Sequence, residues 1–304
     1  MKKRLIVTLA GLLTLGVMAP AATGWIRNWA ELTEERPTNN DTGSNSQGVE
    51  WTLAEGSIGI TDKLAVTFDV EKNYDNITNG KDLETYWDNR FGFSYDLGKS
   101  GDWDLSTGID YYYDTNGSDD VTKSQYSPWF EASTALTDNT KLTFWGAMYY
   151  NDGNANQYDD DGNKTGKVHG DDYELDILLD TGKVAFFDYT GTWLYLYHNT
   201  SGGSGSNEST SAELEAEAFT TVYTHDSGVY AGIEYYFDGE AGDKAEEWMD
   251  SHIGPRIGYS TKLDDGVTAW VYTSYEVLSV NYKEGGDWYS DNEFQVVAGL
   301  KATF

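Results

Sequence analysis

The sequence predicts an all-β fold: a transmembrane, antiparallel up-and-down β-barrel of about 14 strands, with short turns at one end and long loops at the other. Three observations carry that expectation. Apolar residues recur at every second position in run after run of about ten residues, the length a tilted strand needs to cross a bilayer. Short and long connections alternate along the chain. The first residues read as an export signal.

That signal is "MKKRLIVTLAGLLTLGVMAPAA". Lys2, Lys3 and Arg4 form a basic start, Leu5 to Met18 an apolar run, and Ala19-Pro20-Ala21 a small-x-small cleavage site. The run is too short to span a bilayer as a helix. Residues 1–21 are therefore expected to leave, and 22–304 to form one barrel domain. The chain has no cysteine, so strand pairing and packing must stabilise it without disulfides. Without the leader, 17 basic residues face 51 acidic ones, a balance of −34. Such a charge excludes nucleic acid as a partner. Acidic chains are often disordered, but this one is 15% aromatic and its alternation is sustained. The mean hydropathy of −0.58 offers no transmembrane helix after the leader; barrel strands escape that test because their apolar residues are interleaved with polar ones.

Strand by strand, the punctuation is of two kinds. The short turns are "ITDKL" (60–64), "DLGKSGDW" (96–103), "LTDNTKL" (136–142), "LDTGKV" (179–184), "THDSGV" (224–229) and "LDDGV" (263–267). They have the Asp/Gly/Asn chemistry of hairpins. Between them fall long polar connections at 37–48, 73–82, 114–123, 151–170, 198–209, 238–248 and 281–289.

The strands between these marks have two unlike faces. Leu64, Val66, Phe68 and Val70 alternate with Lys63, Thr67, Asp69 and Glu71. Trp103, Leu105 and Ile109 alternate with Asp104, Ser106 and Asp110; Leu142, Phe144 and Met148 with Lys141, Thr143 and Trp145. Val229, Ala231 and Ile233 alternate with Tyr230, Gly232 and Glu234, and the last run sets Phe294, Val296, Ala298, Leu300, Ala302 and Phe304 against Gln295, Gly299 and Lys301. The pattern slips phase near 49–60 and 183–197, which leaves the register open there. Aromatics gather near the long loops (Tyr111 to Tyr113, Tyr149-Tyr150, Trp193, Tyr195 and Tyr197, Tyr235 to Phe237), with Trp25, Trp103 and Phe304 near the short turns. Two bands of this kind suit two membrane interfaces.

The segments "YSPWFEASTALTDNTKLTFWGAMYYND" (126–152), "HIGPRIGYSTKLDDGVTAWVYTSYE" (252–276) and "FQVVAGLKATF" resemble the OmpG family of outer-membrane porins. The resemblance spans about half the chain. It implies a fourteen-stranded, monomeric, passive pore for small hydrophilic solutes in the outer membrane of a diderm bacterium. A final strand ending on Phe304 is similar to the signal that the barrel-assembly machinery recognises. His252 matches one of two histidines that the family ties to acid-dependent closing, but Val280-Asn281-Tyr282-Lys283 holds no second one, so that switch is not expected.

Inward charges set the selectivity of a wet lumen. The acidic candidates are Asp69, Glu71, Asp104, Asp110, Glu131, Glu174, Asp176, Glu213, Glu215, Glu217, Glu234 and Glu293; the basic ones are Lys63, Arg90, Lys141, Arg256 and Lys301. In "AELEAEAFT" (212–220) three carboxylates stack on one side of a strand whose other side is apolar. They must face water, and their field favours cations. Inward Trp129, Trp145, Tyr149 and Trp270 leave open a saccharide channel. "DDDGN" (159–163) lacks EF-hand spacing and reads as an acidic surface loop. No cofactor or metal is expected. Among His169, His198, His225 and His252 no hydrolase constellation emerges, and neither GxSxG nor HExxH occurs. An outer-membrane hydrolase and a purely adhesive barrel remain lesser alternatives.

Overall fold

Alternation becomes strand because a pleated chain sends successive side chains to opposite faces. The computed structural model describes residues 23–37, 46–75, 84–116, 120–158, 164–199, 209–242, 248–283, 287–289 and 291–304. The expected leader at 1–21 and the acidic run at 159–163 lie outside the described residues. The wall strands are β1 (Gly24–Pro37), β2 (Ser46–Gly59), β3 (Leu64–Asp75), β4 (Glu84–Ser100), β5 (Trp103–Asn116), β6 (Val121–Thr137) and β7 (Thr140–Asn151). They continue as β8 (Asp171–Thr181), β9 (Tyr189–Asn199), β10 (Ser209–Thr224), β11 (Val229–Gly242), β12 (Trp248–Asp264), β13 (Val267–Tyr275) and β14 (Asp291–Thr303).

Each strand pairs antiparallel with its neighbours in sequence, and β1 closes the ring against β14, from Trp25↔Thr303 to Pro37↔Asp291. The backbones of Gly24 and Phe304 exchange two further hydrogen bonds at the seam, 2.9 and 3.0 Å. The product is a closed fourteen-stranded barrel. Closure matters because an unpaired strand edge has nothing to bond with in hydrocarbon. Beyond Tyr275, the short segments Leu278–Ser279 and Asn281–Lys283 carry β13 onward along β12. Asn156–Tyr158 and Lys164–Lys167 form a separate hairpin in the connection after β7.

Five of the short turns are tight, and two show why glycine is needed. Gly228 (φ +96°) and Gly266 (φ +83°) adopt a left-handed backbone that L side chains avoid. The sixth, predicted within 179–184, is longer: β8 stops at Thr181 and β9 starts only at Tyr189. The apolar run Val184-Ala185-Phe186-Phe187 bridges to itself, Val184 with Phe187, instead of entering a strand. Asp188 then anchors it by accepting the Thr221 amide at 2.6 Å. Near 49–60 the phase slip is a bulge between Thr52 and Ala54, which re-aims everything beyond it.

One face of the sheet carries large apolar side chains left exposed by the protein: Phe91, Phe93, Ile109, Phe130, Ile257 and Leu300 are each 45–56% accessible. The other face is polar and is the inner one. There, glycines make room for rings on neighbouring strands. A Cβ on Gly108 would strike the Trp129 ring, on Gly258 the Tyr230 ring, and on Gly299 the Trp270 ring. Such glycine–aromatic pairs pin register in curved sheets.

Candidate functional site: the inner wall

Register partners share a face, so the pairings sort the predicted residues. From β1 to β5 two arginines, Arg27 and Arg90, stand among the carboxylates of the inner wall, while Glu31 and Glu50 face each other in register. Arg27 donates to Glu55 through Nε and Nη2, at 2.8 and 2.5 Å. Glu55 pairs in register with Asp69, Asp69 with Arg90, and Arg90 with Tyr112. Asp110, 6% accessible, accepts from Thr67 Oγ1 at 3.3 Å. Asn73 joins Glu71 and Asp88, giving its Nδ2 to Glu71 Oε1 at 2.5 Å and Asp88 Oδ2 at 2.7 Å. Near the short-turn end Asp104 meets Lys99 at 3.1 Å, both well exposed.

From β7 to β11 the wall changes character. One row runs Trp145, Asp176, Tyr195, Glu213, Glu240; the next runs Leu178, Trp193, Glu215, Asp238; a third runs Asp180, Gly191, Glu217, Tyr236. Carboxylates are held here by tyrosines. Tyr149 donates to Glu174 Oε2 at 2.5 Å, Tyr189 to Asp180 Oδ1 at 3.0 Å and Tyr236 to Asp238 Oδ2 at 3.3 Å. Glu131 pairs with Trp145 across the β6–β7 ladder, and Lys141, four residues back along β7, pairs with Ala135.

Strands β9 to β14 together line a cavity of 470 Å³ on the inner wall, with Glu217 and Tyr236 on one side and His252 and Arg256 on the other. Arg256 bonds Glu234 and lies over the rings of Tyr272 (4.3 Å) and Phe219 (5.2 Å). His252 Nδ1 sits 2.9 Å from Glu276 Oε1, and its ring stacks on Tyr236 at 5.0 Å. The Glu293 amide donates to Glu276 Oε2 at 3.3 Å, and the Glu276 amide to the Glu293 carbonyl at 2.9 Å. Ser274 donates to Gln295, which donates to Glu31 across the closing seam. Lys301 lies over the Trp25 ring at 4.8 Å.

The structure thus joins Asp69 with Arg90, Asp176 with Glu213, and Glu234 with Arg256, while Asp104 and Glu131 stand apart from these groups. Lys63 falls in a turn, over the Tyr95 ring at 6.0 Å. Sequence reasoning missed Arg27 and Glu55, because the bulge in β2 hides the phase of Glu55. The aromatics expected at the interfaces divide between faces. Tyr111, Tyr113, Tyr150 and Tyr235 share the exposed apolar face, whereas Tyr112, Tyr149, Trp193, Tyr195, Tyr197 and Tyr236 share register with inner-wall residues. Among the described residues no group of His, Asp or Glu is arranged to hold a metal ion.

No protein-family model matches the chain, and no curated protein matches it. Solved structures do. A deltaS2 mutant of TodX, a monoaromatic hydrocarbon channel, superposes with a TM-score of 0.50 at 10% identity, over 96% of this chain and 92% of that one. This is a likeness of fold, that of a closed membrane β-barrel. OmpT of Vibrio cholerae matches with a TM-score of 0.47 at 10% identity, over 93% of this chain and 97% of that one. An anion-selective porin from Comamonas acidovorans gives 0.44 at 8% identity, over 93% and 99%.

Proposed function

We propose that the protein is an outer-membrane porin: a passive diffusion channel for small hydrophilic solutes and ions that prefers cations. The observation that carries this reading is the pairing of two unlike faces on one closed sheet. The outer face offers lipid exposed Phe, Ile and Leu side chains. The inner face gathers carboxylates that a lipid environment would exclude. With the lumen wetted, their field concentrates cations and repels anions. The expected pore-lining residues are those predicted: Asp69, Glu71, Asp104, Asp110, Glu131, Trp145, Glu174, Asp176, Glu213, Glu215, Glu217, Glu234, Arg256 and Glu293. The fourteen-strand count accords with the OmpG resemblance, and with it a monomer. Export through the leader and uptake by the barrel-assembly machinery through the Phe304 strand complete the proposal. Transport of this kind needs no enzyme chemistry and no cofactor.

The saccharide alternative rests on inner aromatics. Trp129 and Trp270 fill the gaps above Gly108 and Gly299, which favours a packing role for them over a sugar track. Single-channel recording of the refolded protein in a planar bilayer, under a KCl gradient, tests the proposal. Stable conductance with reversal on the cation side is expected. Anion preference would overturn the charge reading, and a folded barrel without conductance would overturn the porin.

A further inference from the structure

The inner wall holds the protein's own cations in one repeated manner. Arg256 lies over Tyr272 and Phe219 and bonds Glu234. Arg27 lies over Trp29 at 5.5 Å and bonds Glu55. In each case a ring face and a carboxylate take the same cation. On β8 to β11 the ring and the carboxylate recur without the cation. Asp176, Tyr195 and Glu213 share one register row; Trp193, Glu215 and Asp238 share the next. Tyr195 and Tyr197 stack at 6.2 Å and 19°. None of the ion pairs among the described residues reaches Asp176, Glu213, Glu215 or Asp238. Across the β10–β11 ladder Glu213 stands opposite Glu240, and Glu215 opposite Asp238. Arg256, on the neighbouring β12, is taken by Glu234.

We infer that this ring-and-carboxylate wall takes organic cations of the guanidinium and alkylammonium class in preference to metal cations of equal charge. The inference rests on the channel reading and deepens it. A metal cation keeps its water and gains only the carboxylates. A guanidinium or alkylammonium group is more weakly hydrated, gains the same carboxylates, and adds a ring face. The two rows place carboxylates on neighbouring strands, which suits a cation with two charged ends.

The test uses the full refolded barrel in a planar bilayer. Agmatine, with a guanidinium and an ammonium end, is compared with Mg²⁺, which has the same charge and no apolar body. Agmatine is expected to reduce the K⁺ current at a several-fold lower concentration than Mg²⁺. Tyr195→Leu with Tyr197→Leu should weaken agmatine by about two- to fivefold, the range of one exposed cation–ring contact. Mg²⁺ block should weaken by less than agmatine block. Tyr195→Phe with Tyr197→Phe keeps the rings and should keep the block. Glu213→Gln with Glu215→Gln and Asp238→Asn should weaken both blockers. Equal potency of agmatine and Mg²⁺ on the unaltered channel, or agmatine block indifferent to loss of the rings, would overturn the inference while the cation-preferring channel stood. A folded barrel that does not conduct would overturn the channel and this inference with it.

Discussion

Neutralising the three stacked glutamates of β10 is the sharpest perturbation of the proposed selectivity. In Glu213→Gln/Glu215→Gln/Glu217→Gln, size and hydrogen-bonding capacity are nearly kept and three charges go. Fourteen strands about 4.8 Å apart and tilted about 40° give a backbone radius of about 14 Å, so inward carboxylates stand about 8 Å from the midline. Across water, one such charge attracts a midline K⁺ by about 0.5 kcal/mol. Screening at 0.1 M salt cuts this to about 0.2 kcal/mol. Three together amount to about 0.7 kcal/mol, a threefold drop in local K⁺. At 10 mM salt the Debye length is about 30 Å, and the drop should reach about sevenfold. The assay is the reversal potential under a KCl gradient at both ionic strengths. It should move toward zero in the variant, and further in dilute salt. Asp226→Asn, in an exposed turn, should move it less. A triple variant with unaltered reversal at both salts, or with the larger shift in concentrated salt, would refute the placement of these carboxylates on the ion path.

The other expectations concern the wall itself. Gly108→Val puts a side chain into the Trp129 ring and the Phe93 carbonyl and should cost about 1–3 kcal/mol; Gly146→Ala, whose nearest neighbours would lie at 3.5 and 3.9 Å, should be neutral, and thermal unfolding in detergent compares the two. Arg256→Gln leaves Glu234 without its bonded cation. It should increase cation preference, read as reversal moving away from zero, by about the effect of one unit charge. Asp188 lies in the turn outside the membrane strands, and the Thr221 amide holds its carboxyl below the usual range. A lowered folded pKa contributes stability above the unfolded value and loses it as pH falls through the folded one. Amide exchange at Thr221 should therefore stay slow until the pH drops below the ordinary Asp range, and Asp188→Ala, which removes the acceptor, should make it fast at neutral pH.

The fold was legible because a closed barrel asks the same thing of every strand. Each must present lipid with an apolar side chain at every second position, and each pair of strands must be joined by a turn or a loop. The runs 64–70, 229–237 and 294–302 obey this without interruption, 103–111 and 142–150 with one exception each at Thr107 and Gly146, and all lie in the expected strands. Legibility failed where the chain breaks period 2. At Leu53 the bulge inserts one residue, so Trp51 and Ala54, three positions apart, share a face. At 184–187 the apolar content is high enough for a strand, but the run closes on itself. Composition alone could not distinguish those outcomes.

The inner wall was legible as a set of charges and illegible as a set of partners. Parity tells which way a side chain points; it does not tell which residue on the next strand stands beside it, because that depends on the stagger between strands. Arg27 and Glu55 are 28 residues apart, Tyr149 and Glu174 are 25 apart, and Glu31 reaches Gln295 only across the closing seam. The tyrosines show the limit most clearly. In Tyr111-Tyr112-Tyr113 all three cannot reach one membrane interface, since consecutive residues point opposite ways. Tyr111 packs tilted against Tyr126 on the outer face, while Tyr112 turns in toward Tyr149. Aromatic density near a loop therefore measures two things at once: a belt for lipid and a second set of rings among the carboxylates inside. Register separates the two, and with them the rows where Arg27 and Arg256 meet Glu55 and Glu234 from the rows where tyrosines share a face with carboxylates.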